Sequence, residues 1–308
     1  AYEISLGLVG SEMCIRDRSS RRIEYGDRFL ILPGMVDIHV HMRDLKQSYK
    51  EDWYTGTLSA LKGGVTTVCD MPNNEPFINS IRKLEEKLET AKRKSLVDFL
   101  LYIGYPENLE EIKRLPDYCP GVKLYPENLY GENISKILSY INKDKLIVVH
   151  PEDPEVLEKV SKRNRSVYEH GRVRPRSAEV EAVRKTVKIV EKYPDKRVHF
   201  THVSVLEAAS IILSKKPLLN ISFDVTPHHA LLTEEKIFEL GGIAKVNPPL
   251  RGEEDREYIY GCLKSGIVDA YVTDHAPHTL TEKISENYKD VKPGFPGLEI
   301  ALPLLLTE

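Results

Sequence analysis

The sequence predicts an α/β fold, a (β/α)8 barrel of the TIM type preceded by the stump of a small β module. Three observations predict it. Short runs rich in β-branched residues alternate with amphipathic stretches, the pattern of parallel strands joined by helical crossovers. Eight such runs occur, enough to close a barrel. Residues able to ligate metal stand in or just after several of them, where a barrel keeps its active-site rim. An open doubly wound sheet is the alternative. It wants a glycine-rich turn after the first strand, where this chain has His39-Val-His41-Met-Arg43.

The elements follow in order. The first strand is expected over 35–41. A helix over 52–62 comes next and is stopped by Gly63-Gly64. Strand two covers 65–71, and the helix over 80–94 has apolar residues three and four apart. Strands are expected over 97–104, 121–125 and 145–150. A helix over 177–192 leads to a strand over 198–203, and a helix over 205–214 to a strand over 219–226. Helices over 234–240 and 253–264 precede the last strand, 268–273.

Composition narrows the function classes. The 308 residues hold 44 basic and 47 acidic side chains, a net charge of −3, with no Lys/Arg block to mark a nucleic-acid surface. No apolar run reaches membrane-spanning length. A small-molecule partner is therefore expected, with no nucleic acid and no membrane. Cys14, Cys69, Cys119 and Cys262 are far apart and form no CxxC pair, which fits free thiols in a reducing cytoplasm.

Both ends stand apart. Residues 8–17, Leu-Val-Gly-Ser-Glu-Met-Cys-Ile-Arg-Asp, back-translate to a string resembling a sequencing-library adapter. Residues 1–18 are therefore expected to be a non-native scar, outside fold reasoning. Residues 19–33 read as the stump of a small β module, and 34–308 as the barrel. The apolar, helix-like stretch 297–308 stops without a cap, so the barrel is expected to be incomplete there.

The chemistry lies in a scattered set of ligands. His39 and His41 are two apart, a spacing that turns both rings to one face of a strand. Two imidazoles from one strand end can share a divalent cation. His150 and His202 close later strands and could serve a second cation, and Asp274 adds a hard anionic ligand. Four imidazoles and one carboxylate suit zinc or a similar cation. Two cations need a bridging anion. Lys123 is placed for that only if its amine becomes a carbamate, since an ammonium cannot ligate metal. From the residues alone, Lys123 reads equally as a lysine packing its stem beside Tyr125.

Several motifs together resemble the cyclic amidohydrolases, most closely the dihydroorotase family. They are Pro-Gly-Met-Val-Asp-Ile-His-Val-His-Met-Arg-Asp (33–44), Asp-Met-Pro-Asn-Asn (70–74), Val-Lys-Leu-Tyr (122–125), Val-Thr-Pro-His-His (225–229), Val-Asn-Pro-Pro-Leu-Arg (246–251), Thr-Asp-His-Ala-Pro-His (273–278) and Pro-Gly-Phe-Pro-Gly-Leu-Glu (293–299). Nearly the whole chain after Leu32 carries the likeness, which implies that 19–33 is the remnant of a small β-sandwich and 34–308 a metal-dependent hydrolase barrel.

The resemblance implies two divalent cations per subunit, zinc foremost, held by His39, His41, carbamylated Lys123, His150, His202 and Asp274. It implies reversible cyclisation of N-carbamoyl-L-aspartate to dihydroorotate in pyrimidine biosynthesis by a metal-activated hydroxide, with Asp274 as the catalytic acid and base. Arg43, Asn73 and His278 would hold the substrate carboxylate, joined by His41. Asn247, Pro293 and Gly294 would touch the ring. A homo-oligomer and contact with aspartate carbamoyltransferase are partner expectations of the same kind. His228 and His229, and also His170 and His199, read as structural. An allantoinase, a hydantoinase or dihydropyrimidinase, and a non-catalytic scaffold remain the alternatives.

Overall fold

A computed structural model describes residues 31–160, 166–285 and 287–307. The expected scar, 1–18, and most of the sandwich stump lie outside the described residues. All eight expected strands are present: β1 (Met35–Val40), β2 (Val65–Asp70), β3 (Asp98–Leu101), β4 (Gly121–Leu124), β5 (Leu146–Val149), β6 (Arg197–Phe200), β7 (Ile221–Val225) and β8 (Ala270–Tyr271). They pair in parallel as β1-β2-β3 and as β4-β5-β6-β7-β8.

Two bridges join these sheets into a ring. Ile103 pairs with Val122 and Val40 pairs with His275, both in parallel. Lys123 N donates to Ile103 O at 2.8 Å, and His41 N donates to His275 O at 2.7 Å. The chain is a closed TIM barrel, not the open sheet. Its strands are shorter than the apolar runs suggested, β8 most of all, and the backbone turns sharply at the rim. There Arg43, Asp44, Leu45, His202 and Asp274 all take positive φ.

Helices fill the crossovers. The stop after Trp53–Lys62 is as expected: Gly63 caps it and Gly64 turns at φ +77°. A side chain at Gly63 would also meet Leu298 O at 2.0 Å. Helices Ile81–Lys94, Arg176–Val190, Leu206–Lys215, Lys236–Leu240 and Glu253–Lys264 match expected stretches. Asn133–Tyr140, Pro154–Val160 and Pro227–Leu231 are further helices that the sequence reading did not include. Among the described residues no helix is long and apolar enough to cross a membrane.

Most of the core is aliphatic, packed between strands and helices. Its exception is the inner face of Ile81–Lys94, where Leu84, Lys87 and Ala91 are buried. Lys87 occupies a position where helical spacing calls for an apolar residue. Its Nζ lies 2.6 Å from Asp70 Oδ2, with both side chains fully buried, and donates to Met71 O at 2.7 Å. Asp70 Oδ1 accepts from Met42 N at 2.8 Å, so the pair ties the helix and β2 to the end of β1.

Removing one partner of a buried ion pair strands the other. Lys87→Met should lower the unfolding free energy by about 3–5 kcal/mol in a denaturant melt. Adding Asp70→Asn, which keeps an oxygen for Met42 N, should restore part of the loss. A single variant as stable as the parent would show that the pair is not needed.

Candidate metal centre and substrate cavity

Barrel closure carries the strand ends to one mouth. His39, His41, Lys123, His150, His202, Asp274, Arg43, Asn73, Asn247, His278, Pro293 and Gly294 all line a single cavity of about 620 Å3. These are all twelve residues singled out from the sequence for the site. Residues that read as structural lie apart from the lining. His229 is tied to Thr226 Oγ1 and Pro248 O, at 2.8 and 3.0 Å. His199 is tied to Asp224 at 2.8 Å, and His170 to Val246 O at 2.6 Å.

At the cavity floor, ligand atoms of His39, His41 and Asp274 lie within 4.8 Å of one another. Asp274 Oδ1 is 3.2 Å from His39 Nε2 and 3.0 Å from His41 Nε2. The His39 ring centre is 5.3 Å from that of His41 and 5.2 Å from that of His202, and His202 is 4.4 Å from His150. The two-residue spacing thus brings both rings of the first pair into one group, and the later histidines join it.

Hydrogen bonds decide which ring nitrogens keep a lone pair. His41 Nδ1 lies 2.6 Å from Asn73 Oδ1, an acceptor, so the proton sits on Nδ1. The Nε2 lone pair then faces a carboxylate oxygen, acceptor against acceptor, an arrangement a cation between them would relieve. His150 Nε2 lies 2.5 Å from Glu152 Oε2, which puts its proton there and frees Nδ1. His39 Nδ1 and His202 Nδ1 are buried and find no hydrogen-bond partner.

Burial pushes the His39 and His202 imidazoles well below their ordinary pKa, so both are neutral bases. These donors fit a borderline divalent cation.

Lys123 is fully buried on β4, and its Nζ donates to Thr201 Oγ1 at 3.0 Å. Burial pushes its ammonium down to about 7, so the free amine is well populated near neutrality. Its Nζ is also 5.7 Å from the centre of the Tyr125 ring. The stem packing and the exposure to the cluster therefore occur together.

Arg43 stands beside this group, 5% exposed. Its Nε donates to Pro277 O at 3.1 Å, and its second terminal nitrogen is 3.0 Å from His278 Nε2. His278 Nδ1 is 3.2 Å from Lys50 Nζ, and Nε2 is 3.1 Å from Pro293 O. With the proton on Nε2, the ring accepts from Lys50 and donates to Pro293 O. Burial, then Arg43 and Lys50, keep this imidazole neutral. With the proton on Nδ1, which lies 3.5 Å from Glu282 Oε2, Nε2 would instead accept from Arg43.

The sequence reading missed Glu152, Arg174, Asp37 and Asp224. Glu152 follows His150 by two residues, a spacing that could have flagged it. It is fully buried and takes Arg174 Nε at 2.9 and 3.0 Å as well as the His150 proton. Asp37 and Asp224 carried no signal, because each acts through a backbone N–H of another strand end.

Comparison with known proteins places this geometry. The chain matches the amidohydrolase family over residues 30–291. It is 35% identical to a dihydroorotase of Methanosarcina mazei over 90% of this chain and 64% of the relative. To a dihydroorotase of Pyrobaculum aerophilum it is also 35% identical, over 93% of this chain and 70% of the relative. Among solved structures, the L-hydantoinase (dihydropyrimidinase) of Arthrobacter aurescens matches with a TM-score of 0.83 at 26% identity, over 89% of this chain and 65% of that one. The chain thus spans about two thirds of the length of these relatives.

A cation that binds only the folded protein must stabilise it. Zinc at a hundredfold excess over its dissociation constant should add about 2.7 kcal/mol to chelator-treated protein, read as a rise in melting temperature. His39→Ala should reduce that rise and the bound metal per chain. An unchanged melt in the parent would dispose of the site.

Proposed function

The chain belongs to the amidohydrolase family, and we propose that it catalyses the dihydroorotase reaction, the reversible closure of N-carbamoyl-L-aspartate to dihydroorotate with loss of water. Arg43 carries the proposal. Its guanidinium is buried, lines the cavity next to the His/Asp group, and has no carboxylate within ion-pair distance among the described residues. A buried cation without a counter-ion is costly unless a ligand provides one. A planar guanidinium matches a carboxylate. Dihydroorotate bears a carboxylate on its ring; hydantoins and dihydropyrimidines lack it.

Zinc suits four imidazoles and one carboxylate, and we propose two ions, which His39, His41, His150, His202, Asp274 and a carbamate on Lys123 would hold. The neutral Lys123 amine would add to carbon dioxide and lose one proton, leaving a carbamate. Bound there, the ions would lower the pKa of water and polarise the ring carbonyl.

The protein does the rest. Arg43, Asn73 and His278 orient the substrate carboxylate. Asn247 and the Pro293–Gly294 backbone close over the ring. Asp274 accepts the proton of the attacking water and delivers it to the departing ring nitrogen, and closure runs these transfers in reverse. The dihydroorotase relatives support the substrate assignment. The hydantoinase likeness favours a second reading, a cyclic amidohydrolase for uncharged rings.

Substrate preference separates the two. The protein should open dihydroorotate, and chelator should abolish the activity. Asp274→Asn should retain part of its metal while kcat falls by roughly a thousandfold. Arg43→Met should raise KM for dihydroorotate about a hundredfold, as expected for a lost charge-assisted contact. Turnover of hydantoin or allantoin without dihydroorotate would move the assignment to the second reading.

A further inference from the structure

We propose that Lys283, with Lys245 beside it, is the positioning residue for the ring-facing wall of the cavity, its ammonium clamping three backbone carbonyls that converge from two segments. The inference deepens the dihydroorotase reading and takes the identity of the ring from it.

Lys283 ends the helix Leu280–Lys283 and is buried. Its Nζ donates to Lys245 O at 2.8 Å, Lys292 O at 2.9 Å and Gly294 O at 3.0 Å. An ammonium has three N–H groups, and all three are used. Lys245 Nζ donates to Tyr288 O at 2.6 Å and Val291 O at 2.8 Å, and lies 3.6 Å from the centre of the Tyr288 ring. Neither lysine has a carboxylate within ion-pair distance among the described residues. Both ammonium groups are spent on carbonyls.

Those carbonyls belong to chain that has little other support. No helix or strand lies between Lys283 and Ala301 among the described residues. Backbone pairing in the clamped stretch is sparse: Lys292 N donates to Glu282 O at 2.9 Å, and Gly294 N to Lys245 O at 3.0 Å. Yet Pro293 and Gly294 line the cavity, and Val246 and Asn247, which also line it, follow Lys245 directly. His170 holds the same wall from behind, with Nε2 2.6 Å from Val246 O and Nδ1 3.1 Å from the Tyr288 hydroxyl.

The wall is also pressed inward, since a Cβ at Gly294 would meet Ala276 O at 2.4 Å. A helix-borne ammonium therefore fixes the distance between the Asn247 and Pro293–Gly294 sides of the cavity. Without it the carbonyls of Lys292 and Gly294 lose this donor, Lys245 O keeps only Gly294 N, and the wall would relax toward water. The His/Asp group sits on β1, β5, β6 and β8 ends to which Lys283 makes no hydrogen bond among the described residues, and the wall meets the stretch after β8 where Ala276 N donates to Phe295 O at 2.8 Å. Loosening the wall should weaken ring binding and leave the bond-breaking step largely intact.

Lys283→Met tests this through the split between KM and kcat and through amide hydrogen exchange. The expected result is a KM for dihydroorotate raised about tenfold, kcat within about threefold, and faster exchange confined to 284–297. An unchanged KM, or a kcat loss at constant KM, would overturn the inference. If the variant does not fold, exchange in the parent protein decides. Lys292 and Gly294 amides protected like strand amides support the clamp, and fast exchange at both refutes it. Should the parent ignore dihydroorotate, the substrate reading fails by itself. The clamp is then judged by the same exchange data and by KM on whichever cyclic amide the protein opens.

Discussion

A parallel barrel must end its strands inside a wall where water is scarce, and every strand end frees backbone N–H groups that need acceptors. Three fully buried aspartates supply them here. Asp37 accepts from His39 N at 3.0 Å and from Thr273 N at 3.1 Å, which ties the end of β1 to the end of β8. Asp70 accepts from Met42 N at 2.8 Å. Asp224 accepts from His202 N and binds His199 at 2.8 Å. Each N–H belongs to a residue in or beside the candidate site.

These carboxylates permit a backbone that would otherwise be unfavourable. Arg43, His202 and Asp274 have φ of 51°, 38° and 48°, in the region that side chains with a Cβ rarely adopt. At the rim this turns a side chain off the ladder and into the cavity. Strain of this kind persists where surrounding contacts over-determine it. Acceptors then act on the rings as the aspartates act on the backbone. Asn73 fixes the proton of His41, and Glu152 fixes that of His150. The geometry of the cluster is therefore written twice, once in the main chain and once in the tautomers.

Much of this was legible in the sequence, for physical reasons. Buried parallel strands read as β-branched runs, so all eight were visible, and the two-residue spacing of His39 and His41 carries its own geometry. Strand lengths were not legible, because the runs extend past the residues that pair: 268, 269, 272 and 273 lie in the last run but outside β8. The sequence reading also left out the helices Asn133–Tyr140 and Pro154–Val160. Partners at a distance were hidden altogether. Nothing near Asp224 in the chain points to the backbone of residue 202. Lys87 looks like one more surface lysine in a helix that also carries Lys83, Lys92 and Lys94.

The buried cations sort themselves by what satisfies them. Lys87 has Asp70, Arg174 has Glu152, and Arg251 has Glu179. Lys283 lacks a carboxylate but has three carbonyls, one for each N–H. In all four, the charge is answered within the protein, so each can be explained by architecture. Arg43 is different. It has a carbonyl for one N–H, the His278 ring beside a second donor, and cavity in front of the rest. Five donors in a rigid fork cannot be left this way in a low-dielectric wall without cost. A binding group is distinguished from a structural one by such an unanswered charge, and in this cavity it stands next to the cluster that would do the chemistry.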